Sequence, residues 1–150
     1  MANLTYKKLL SASDSDITAL ESAYRAPDTA RFLSISDSYF NYVTTTDNVH
    51  FYKVYMSDTL VGALQLEIEG EVLFMSVLVF PEQQGRGIGT KIVSDVCNDN
   101  FGLGFAKIEI SVDRCNIASL KMFESFGFMP LGEENELINF VYQKENCKQK

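Results

Sequence analysis

The sequence is poor in the residues that build disulfide frameworks and zinc sites. Its 150 residues include one histidine, His50, and three cysteines, Cys97, Cys115 and Cys147. The cysteines are odd in number and show no CxxC spacing, which favours neither a disulfide framework nor a metal site. We therefore expect no bound metal and a reduced, cytoplasmic compartment.

Long apolar runs and linker-like tracts are also lacking. No apolar run approaches the ~18 residues of a membrane-spanning helix, and Met1–Leu10 has no apolar core of the kind found in secretory signals. No repeat of fixed period occurs, and no Pro-, Gly- or Ser-rich tract divides the chain. These absences predict a single domain over residues 1–150 with no membrane partner.

Basic residues are fewer than acidic residues. Asp and Glu outnumber Lys and Arg by 20 to 13, which gives a formal charge of −7 at pH 7. Such a field repels a phosphate backbone, so we expect no nucleic-acid partner. A cationic substrate suits this charge better, although acidic totals of this kind mostly reflect solvated faces.

The first half of the chain predicts two helices and three strands. Ser13-Asp14-Ser15-Asp16 offers capping oxygens to a helix that Pro27 ends. A second helix is capped near Ser36 or Asp37. On the third strand, Gln65, Glu67 and Glu69 form a polar, acidic face opposite an apolar one. The second helix is predicted over Ser34–Val43. The three predicted strands are Leu4–Leu10, His50–Met56 and Leu60–Glu69, of which the last two form a hairpin.

The second half alternates strands and helices, so the fold class is mixed α/β. Glu71–Phe80 is a nearly continuous apolar run, typical of a central strand covered on both sides. A helix follows with an apolar stripe of Ile88, Ile92, Val93 and Val96. A strand at Phe105–Val112 follows in a β-α-β unit and is expected to run parallel to Glu71–Phe80. Asn116 caps the last helix, Leu137–Gln143 is a closing strand, and Glu145–Lys150 is a polar tail.

Three alternating glycines separate the buried strand from its helix. Gly85, Gly87 and Gly89 permit unusual backbone conformations, and N–H groups at a helix N-terminus form a site for an anion such as pyrophosphate. A plain tight connection is the alternative. Arg86 either adds a charge to a phosphate or is solvated. The GxGxG spacing fits neither the P-loop nor the dinucleotide fingerprint.

The residues around this loop resemble a known family. Val77–Glu82, followed by Gln84–Gly89, resembles the acetyl-CoA motif of the GCN5-related N-acetyltransferase (GNAT) superfamily, Q/R-x-x-G-x-G/A after a strand ending in V-x-P-E. Asn116–Ser119 and Phe123–Phe128 are similar to its second signature, N-x-x-A followed by Y-E-K-x-G-F. The strong resemblance covers Leu73–Phe128. It implies the GNAT fold, a mixed central sheet of about six to seven strands with a splayed parallel pair and about four flanking helices.

The resemblance also implies how acetyl-CoA, as co-substrate, is held. Pyrophosphate is expected on the amides of the glycine loop, the pantetheine arm beside the preceding strand, and Asn116 near the arm or the thioester, although a plain helix N-cap is an alternative for Asn116. The implied contacts are Val77, Leu78, Val79, Gln84, Gly85, Arg86, Gly87, Ile88, Gly89, Thr90, Asn116, Ser119 and Phe123.

Family chemistry is direct attack of a neutral amine on the thioester, which requires a base, oxyanion stabilisation and a proton for the thiolate. The N–H of Val79 is expected to polarise the carbonyl. The position of the usual tyrosine acid holds Phe123, which has no proton to give, and Ser111 stands where one family branch carries a glutamate base. Glu69 and Glu71, with Glu67 and Asp113, are candidate bases, each with a solvated surface carboxylate as the alternative.

The sequence thus predicts an enzyme, an acetyl-CoA-dependent N-acetyltransferase acting on a primary amine of a small molecule or protein. A catalytically weak acyl-CoA-binding or sensing module is the alternative, because of Phe123 and Ser111. Acceptor specificity is expected in Ala26–Met56. Exposed strand edges favour a homodimer.

Overall fold

Within residues 3–33 and 35–144, which the computed structural model describes, seven strands form one mixed sheet in the order β1-β2-β3-β4-β5-β7-β6. The strands are β1 (Leu4–Lys8), β2 (Val49–Met56), β3 (Thr59–Glu69), β4 (Val72–Val79), β5 (Lys107–Asp113), β6 (Met129–Glu134) and β7 (Leu137–Gln143). The helices are α1 (Ile17–Arg25), the single turn α2 (Pro27–Ala30), α3 (Tyr39–Thr45), α4 (Ile88–Cys97) and α5 (Ile117–Ser125). The predicted mixed sheet with flanking helices is confirmed.

Residue contacts divide the chain into two compact units. The first contains the described residues up to Glu67 together with Ser76–Ile92. In it β1, β2 and β3 are antiparallel, with a bulge in β2 between Val54 and Tyr55. Its core packs α1 and α3 against the strands through Leu20, Phe40, Phe51 and other apolar side chains. The predicted opening strand and the predicted hairpin are therefore confirmed.

The second unit contains Ile68–Met75 and the described residues from Val93 onward. The parallel ladder pairs Val72–Phe74 of β4 with Lys107–Glu109 of β5. β7 is antiparallel to β5 on one side and to β6 on the other. The predicted parallel pair and the predicted closing strand are thus confirmed.

Two cap predictions are wrong. α3 begins at Tyr39 after Ser38, not near Ser36, and no side chain caps it, because the Asp37 carboxylate accepts from Arg25 instead. Asp16 does precede α1, but its carboxylate accepts from Lys53 and Tyr55 rather than from the helix amides. In both places, the carboxylate accepts hydrogen bonds from a side chain of another helix or strand.

One predicted surface differs. β4 is not covered on both faces, since only Leu73 and Leu78 are buried and Phe74 is 37% exposed. The predicted polar face of β3 is found, and tyrosines of α3 donate hydrogen bonds to Gln65 and Glu67 on it. β6 and α2 were not expected from the sequence. Ser34, the tail Glu145–Lys150 and Cys147 lie outside the described residues.

No helix among the described residues has the length and apolar character needed to cross a membrane.

Candidate active site

The glycine turn after β4 is built by backbone conformation. Pro81–Gln83 forms a 3-10 turn, closed by a hydrogen bond of 2.8 Å from Gln83 N to Phe80 O. Gly85 and Gly87 then adopt φ of +81° and +80°, a region that side chains with a Cβ rarely enter. Gly89 instead lies within the first turn of α4. Two of the three glycines are therefore required by the turn itself.

The turn leaves a row of amides without protein acceptors. Lys91 N donates to Gly87 O at 3.0 Å, whereas in the described part of the chain no acceptor receives the N–H groups from Gly85 to Thr90. Gly85, Arg86 and Gly87 are exposed, while Ile88 anchors the helix with 1% exposure. Unsatisfied N–H groups and the positive end of the α4 dipole together favour an anion at this point.

Polar side chains of the turn differ in what they contact. Gln84 donates from Nε2 to Val79 O at 3.3 Å and so ties the motif back to the last residue of β4. Arg86 is exposed and takes part in no ion pair within residues 3–33 and 35–144. Its guanidinium is therefore available to a ligand phosphate.

The end of β4 presses closely on β3, a feature that the sequence analysis missed. Phe80 N donates to Val61 O at 2.8 Å, and a Cβ on Gly62 would lie 2.2 Å from Leu78 O. Only glycine fits this approach. A lone glycine inside a strand pattern was the available signal. Leu78 is buried, whereas Val77 and Val79 are half-buried.

The second signature, in the other unit, opens α5. Asn116 Oδ1 accepts from Ser119 N at 3.4 Å, so the predicted N-cap is confirmed. Asn116 and Ser119 are half-buried. Phe123 is 7% exposed, and its ring lies 5.1 Å from that of Phe128 in an edge-on arrangement. Its position holds a packing residue with no acidic hydrogen.

The candidate bases are spread over the strands. Glu69 ends β3 and Glu71 precedes β4, so both lie, exposed, at the β3–β4 turn. Asp113 Oδ1 accepts from Cys115 N at 2.8 Å. Ser111, at the position of the missing glutamate, donates to Asn139 at 2.6 Å. The glycine turn lies beyond the opposite end of β4, a strand of eight residues from Val72 to Val79.

Glu67 has a different environment. Tyr42 donates its hydroxyl to Glu67 Oε1 at 2.9 Å, and Tyr39 donates to Gln65 Oε1. Burial raises the pKa of Tyr39 to about 12, so its phenol is protonated, and therefore a donor, at neutral pH. The sequence alone gave no sign of these tyrosine contacts.

Among the described residues, no group of three or more His, Cys, Asp or Glu side chains is arranged to hold a metal ion.

Solved structures share this fold. A domain from Methanocaldococcus jannaschii is 18% identical, with a TM-score of 0.79, over 95% of this chain and 99% of that chain. N-acetyltransferase PseH from Campylobacter jejuni, in complex with acetyl coenzyme A, is 11% identical, with a TM-score of 0.74, over 94% and 99%. A spermidine N-acetyltransferase SpeG chimera from Vibrio cholerae and hSSAT is 16% identical, with a TM-score of 0.78, over 98% and 99%.

The family is established by sequence. No curated protein matches the chain at a significant level. The model of the acetyltransferase (GNAT) family, however, matches residues 16–128. This span covers most of the chain and includes both the glycine turn and the second signature. The chain therefore belongs to the acetyltransferase (GNAT) family, as an acetyl-CoA-dependent N-acetyltransferase.

Proposed function

We propose that the chain transfers the acetyl group of acetyl-CoA to a primary amine of a small molecule or protein, by direct attack in a ternary complex. The observation that carries this proposal is the row of amides from Gly85 to Thr90, which have no protein acceptor in the described part of the chain. Two linked phosphates supply the oxygens that these donors lack.

In this proposal, the coenzyme contacts follow the family signatures. The pyrophosphate binds the glycine turn with help from Arg86, and the pantetheine arm runs beside Val77–Val79. Half-burial of Val77 and Val79 supports this, because a ligand covering them removes apolar surface from water. Asn116, Ser119 and Phe123 are proposed as contacts on the second signature alone.

Catalysis is proposed to depend on positioning and polarisation. The N–H of Val79 polarises the thioester carbonyl. Glu69 or Glu71, at the opposite end of β4, is proposed to receive the ammonium proton through a chain of water molecules. Phe123 cannot protonate the thiolate, so water does so. We expect a slow enzyme rather than an inactive one, because a general acid typically contributes about 10²–10⁴-fold.

A cationic acceptor is the class we favour. The formal charge of −7 attracts cations. One protein of similar fold, SpeG, is a spermidine N-acetyltransferase. Similarity at this level of identity shows only a shared fold. The preference for a cationic acceptor is therefore based on the net charge of the chain, and the experiment below tests it.

The direct test is release of CoA thiol from acetyl-CoA by purified protein with a panel of small amines and an N-terminal peptide. We expect release that depends on the amine. Binding of acetyl-CoA with no release from any amine would support the rival, a sensing module, which Phe123 and Ser111 favour. The Phe123→Tyr variant separates the two further, since a slow enzyme should accelerate and a sensor should stay silent.

We also propose that the protein is cytoplasmic and forms a homodimer. The exposed edge strand β6, whose six residues are all accessible, supports a self-associating surface. Sedimentation of the purified chain tests the dimer.

A further inference from the structure

A cavity lies in the first compact unit, where the end of β1, the C-terminal end of α3 and the start of β2 meet. Its volume is about 230 Å³. Drug-sized ligands occupy roughly 300–1,000 Å³, so this cavity suits a smaller molecule. Its lining residues fall within 8–49 and belong to neither family signature.

Two opposite charges line the cavity without pairing with each other. Lys8 and Asp47 are both exposed and both form part of its wall. In the part of the chain that the structure describes, they form no ion pair, either together or with another charged side chain. Separated charges of opposite sign around one cavity complement a small ligand that carries both charges itself.

Lys8 supplies hydrogen-bond donors. Its Nζ lies 3.1 Å from His50 Nδ1. Partial burial and then the charge of Lys8 lower the pKa of His50 from 6.5, so the imidazole is neutral at pH 7 and Nδ1 accepts from the ammonium. An ammonium has three N–H groups, so two remain for a ligand carboxylate.

Asp47 is accompanied by further acceptors. Thr44, Thr45 and Thr46 also line the cavity, and each donates its hydroxyl hydrogen at 2.7 Å to the carbonyl four positions earlier. A hydroxyl has a single hydrogen, so towards a ligand these oxygens can only accept. A carboxylate together with hydroxyl acceptors suits an ammonium group.

The remaining wall is apolar. Leu9, Val43 and Val49 are buried, whereas Leu10 is 78% exposed. A ligand with an apolar side chain that covers Leu10 removes apolar surface from water, which favours binding. The cavity therefore combines a carboxylate partner, an ammonium partner and an apolar surface.

We propose that this cavity binds a free α-amino acid with a small apolar side chain, such as valine. Lys8 bonds its carboxylate, and Asp47 with the threonine oxygens bonds its ammonium group. This site is separate from the one proposed for acetyl-CoA, and the inference does not depend on acetyl transfer.

The experiment is calorimetric titration of the purified full chain without acetyl-CoA. The ligands are L-valine, L-valinamide, which lacks the carboxylate, and N-acetyl-L-valine, which lacks the ammonium group. Lys8→Met and Asp47→Asn are compared with wild type and with the charge-matched controls Lys121→Met and Asp58→Asn, whose residues are exposed elsewhere. Amide NMR spectra of wild type with L-valine locate the site without any substitution.

We expect wild type and both controls to bind L-valine saturably. Wild type should bind each analogue about fivefold more weakly, the size of one charged contact near the surface. Lys8→Met should bind L-valine and L-valinamide equally, and Asp47→Asn should bind L-valine and N-acetyl-L-valine equally, because each variant lacks the group that distinguishes the pair. In the NMR spectra, the largest shifts should fall at residues 8–10 and 43–49.

Several results would overturn this inference. They are absence of saturable L-valine binding, equal affinity of wild type for the three compounds, and unchanged L-valine affinity in both Lys8→Met and Asp47→Asn. NMR shifts confined to residues outside the cavity would also overturn it. Each of these results leaves the proposed acetyltransferase intact, and failure of the chain to bind acetyl-CoA would leave the amino-acid site intact.

Discussion

Adding one methyl group at Gly62 tests how closely β3 must approach the coenzyme strand. A Cβ at this position would lie 2.2 Å from Leu78 O and 3.3 Å from both Leu78 C and Val79 Cα. All three atoms belong to the backbone, so no side-chain rotation relieves the overlap. The Gly62→Ala variant must therefore move the main chain of β4 at two residues proposed to contact pantetheine.

The size of the effect follows from these distances. A relaxed carbon-to-oxygen contact is about 3.3 Å, so the strands must separate by about 1 Å. Overpacking of this kind costs about 1–3 kcal/mol, which for a chain of this length lowers Tm by about 2–12 °C. A reacting group displaced by about 1 Å reduces rate as much as a hundredfold, so we expect kcat/KM for acetyl-CoA to fall about ten- to hundredfold.

Gly132→Ala is the matched control. Gly132 also lies in a strand, but a Cβ there meets no atom within 4 Å. Thermal melting and steady-state kinetics with varied acetyl-CoA are measured for wild type and both variants. Wild-type values for Gly132→Ala together with losses in Gly62→Ala would support the reasoning. If Gly62→Ala melts and reacts as wild type does, β4 is not held in the way that the close approach implies.

Three further predictions concern the turn, the second signature and a partly buried ion pair. Gly87 has a φ of +80°, and a residue with a Cβ in this left-handed region costs about 1–2 kcal/mol. The Gly87→Ala variant should therefore bind acetyl-CoA about tenfold more weakly in calorimetry. An unchanged affinity would contradict the role of this backbone conformation. Asn116→Ala should lower the free energy of unfolding by about 0.5–2 kcal/mol. Asn116→Ser should lower it much less, because serine can also cap the helix. Equal losses for the two variants in denaturant titrations would count against capping. Hydrogen bonds from Tyr55 and then Lys53 lower the pKa of Asp16 from 3.8, so its contribution to stability is present above that value and is lost as the pH falls through the lower folded pKa. The stability difference between wild type and Asp16→Asn should accordingly narrow between about pH 5 and pH 2, and a constant difference would refute this.

The sequence predicts the glycine turn and its helix well because their determinants are local. Ile88, Ile92 and Val96 repeat at helical spacing, and all three are buried as expected. Gly85 and Gly87 carry the positive φ values that alternating glycines permit. The parallel pairing of β4 with β5 follows from the handed β-α-β connection, and Asn116 caps α5 through a bond to a residue three positions on.

Features that depend on distant partners could not be predicted. Asp16 leaves the helix amides because Lys53 and Tyr55, almost forty residues away in sequence, take its carboxylate. Gln65 and Glu67 accept hydrogen bonds from Tyr39 and Tyr42, which lie 26 and 25 positions earlier in the sequence. β6 consists of exposed residues around Pro130 and Gly132, with weak strand propensity, and it exists through its pairing with β7.

The most direct test of the central claim is a crystal structure of the chain with acetyl-CoA. We predict that the pyrophosphate oxygens lie within about 3.2 Å of amide nitrogens between Gly85 and Thr90. A nucleotide bound away from this turn, with those amides still lacking phosphate contacts, would contradict the account.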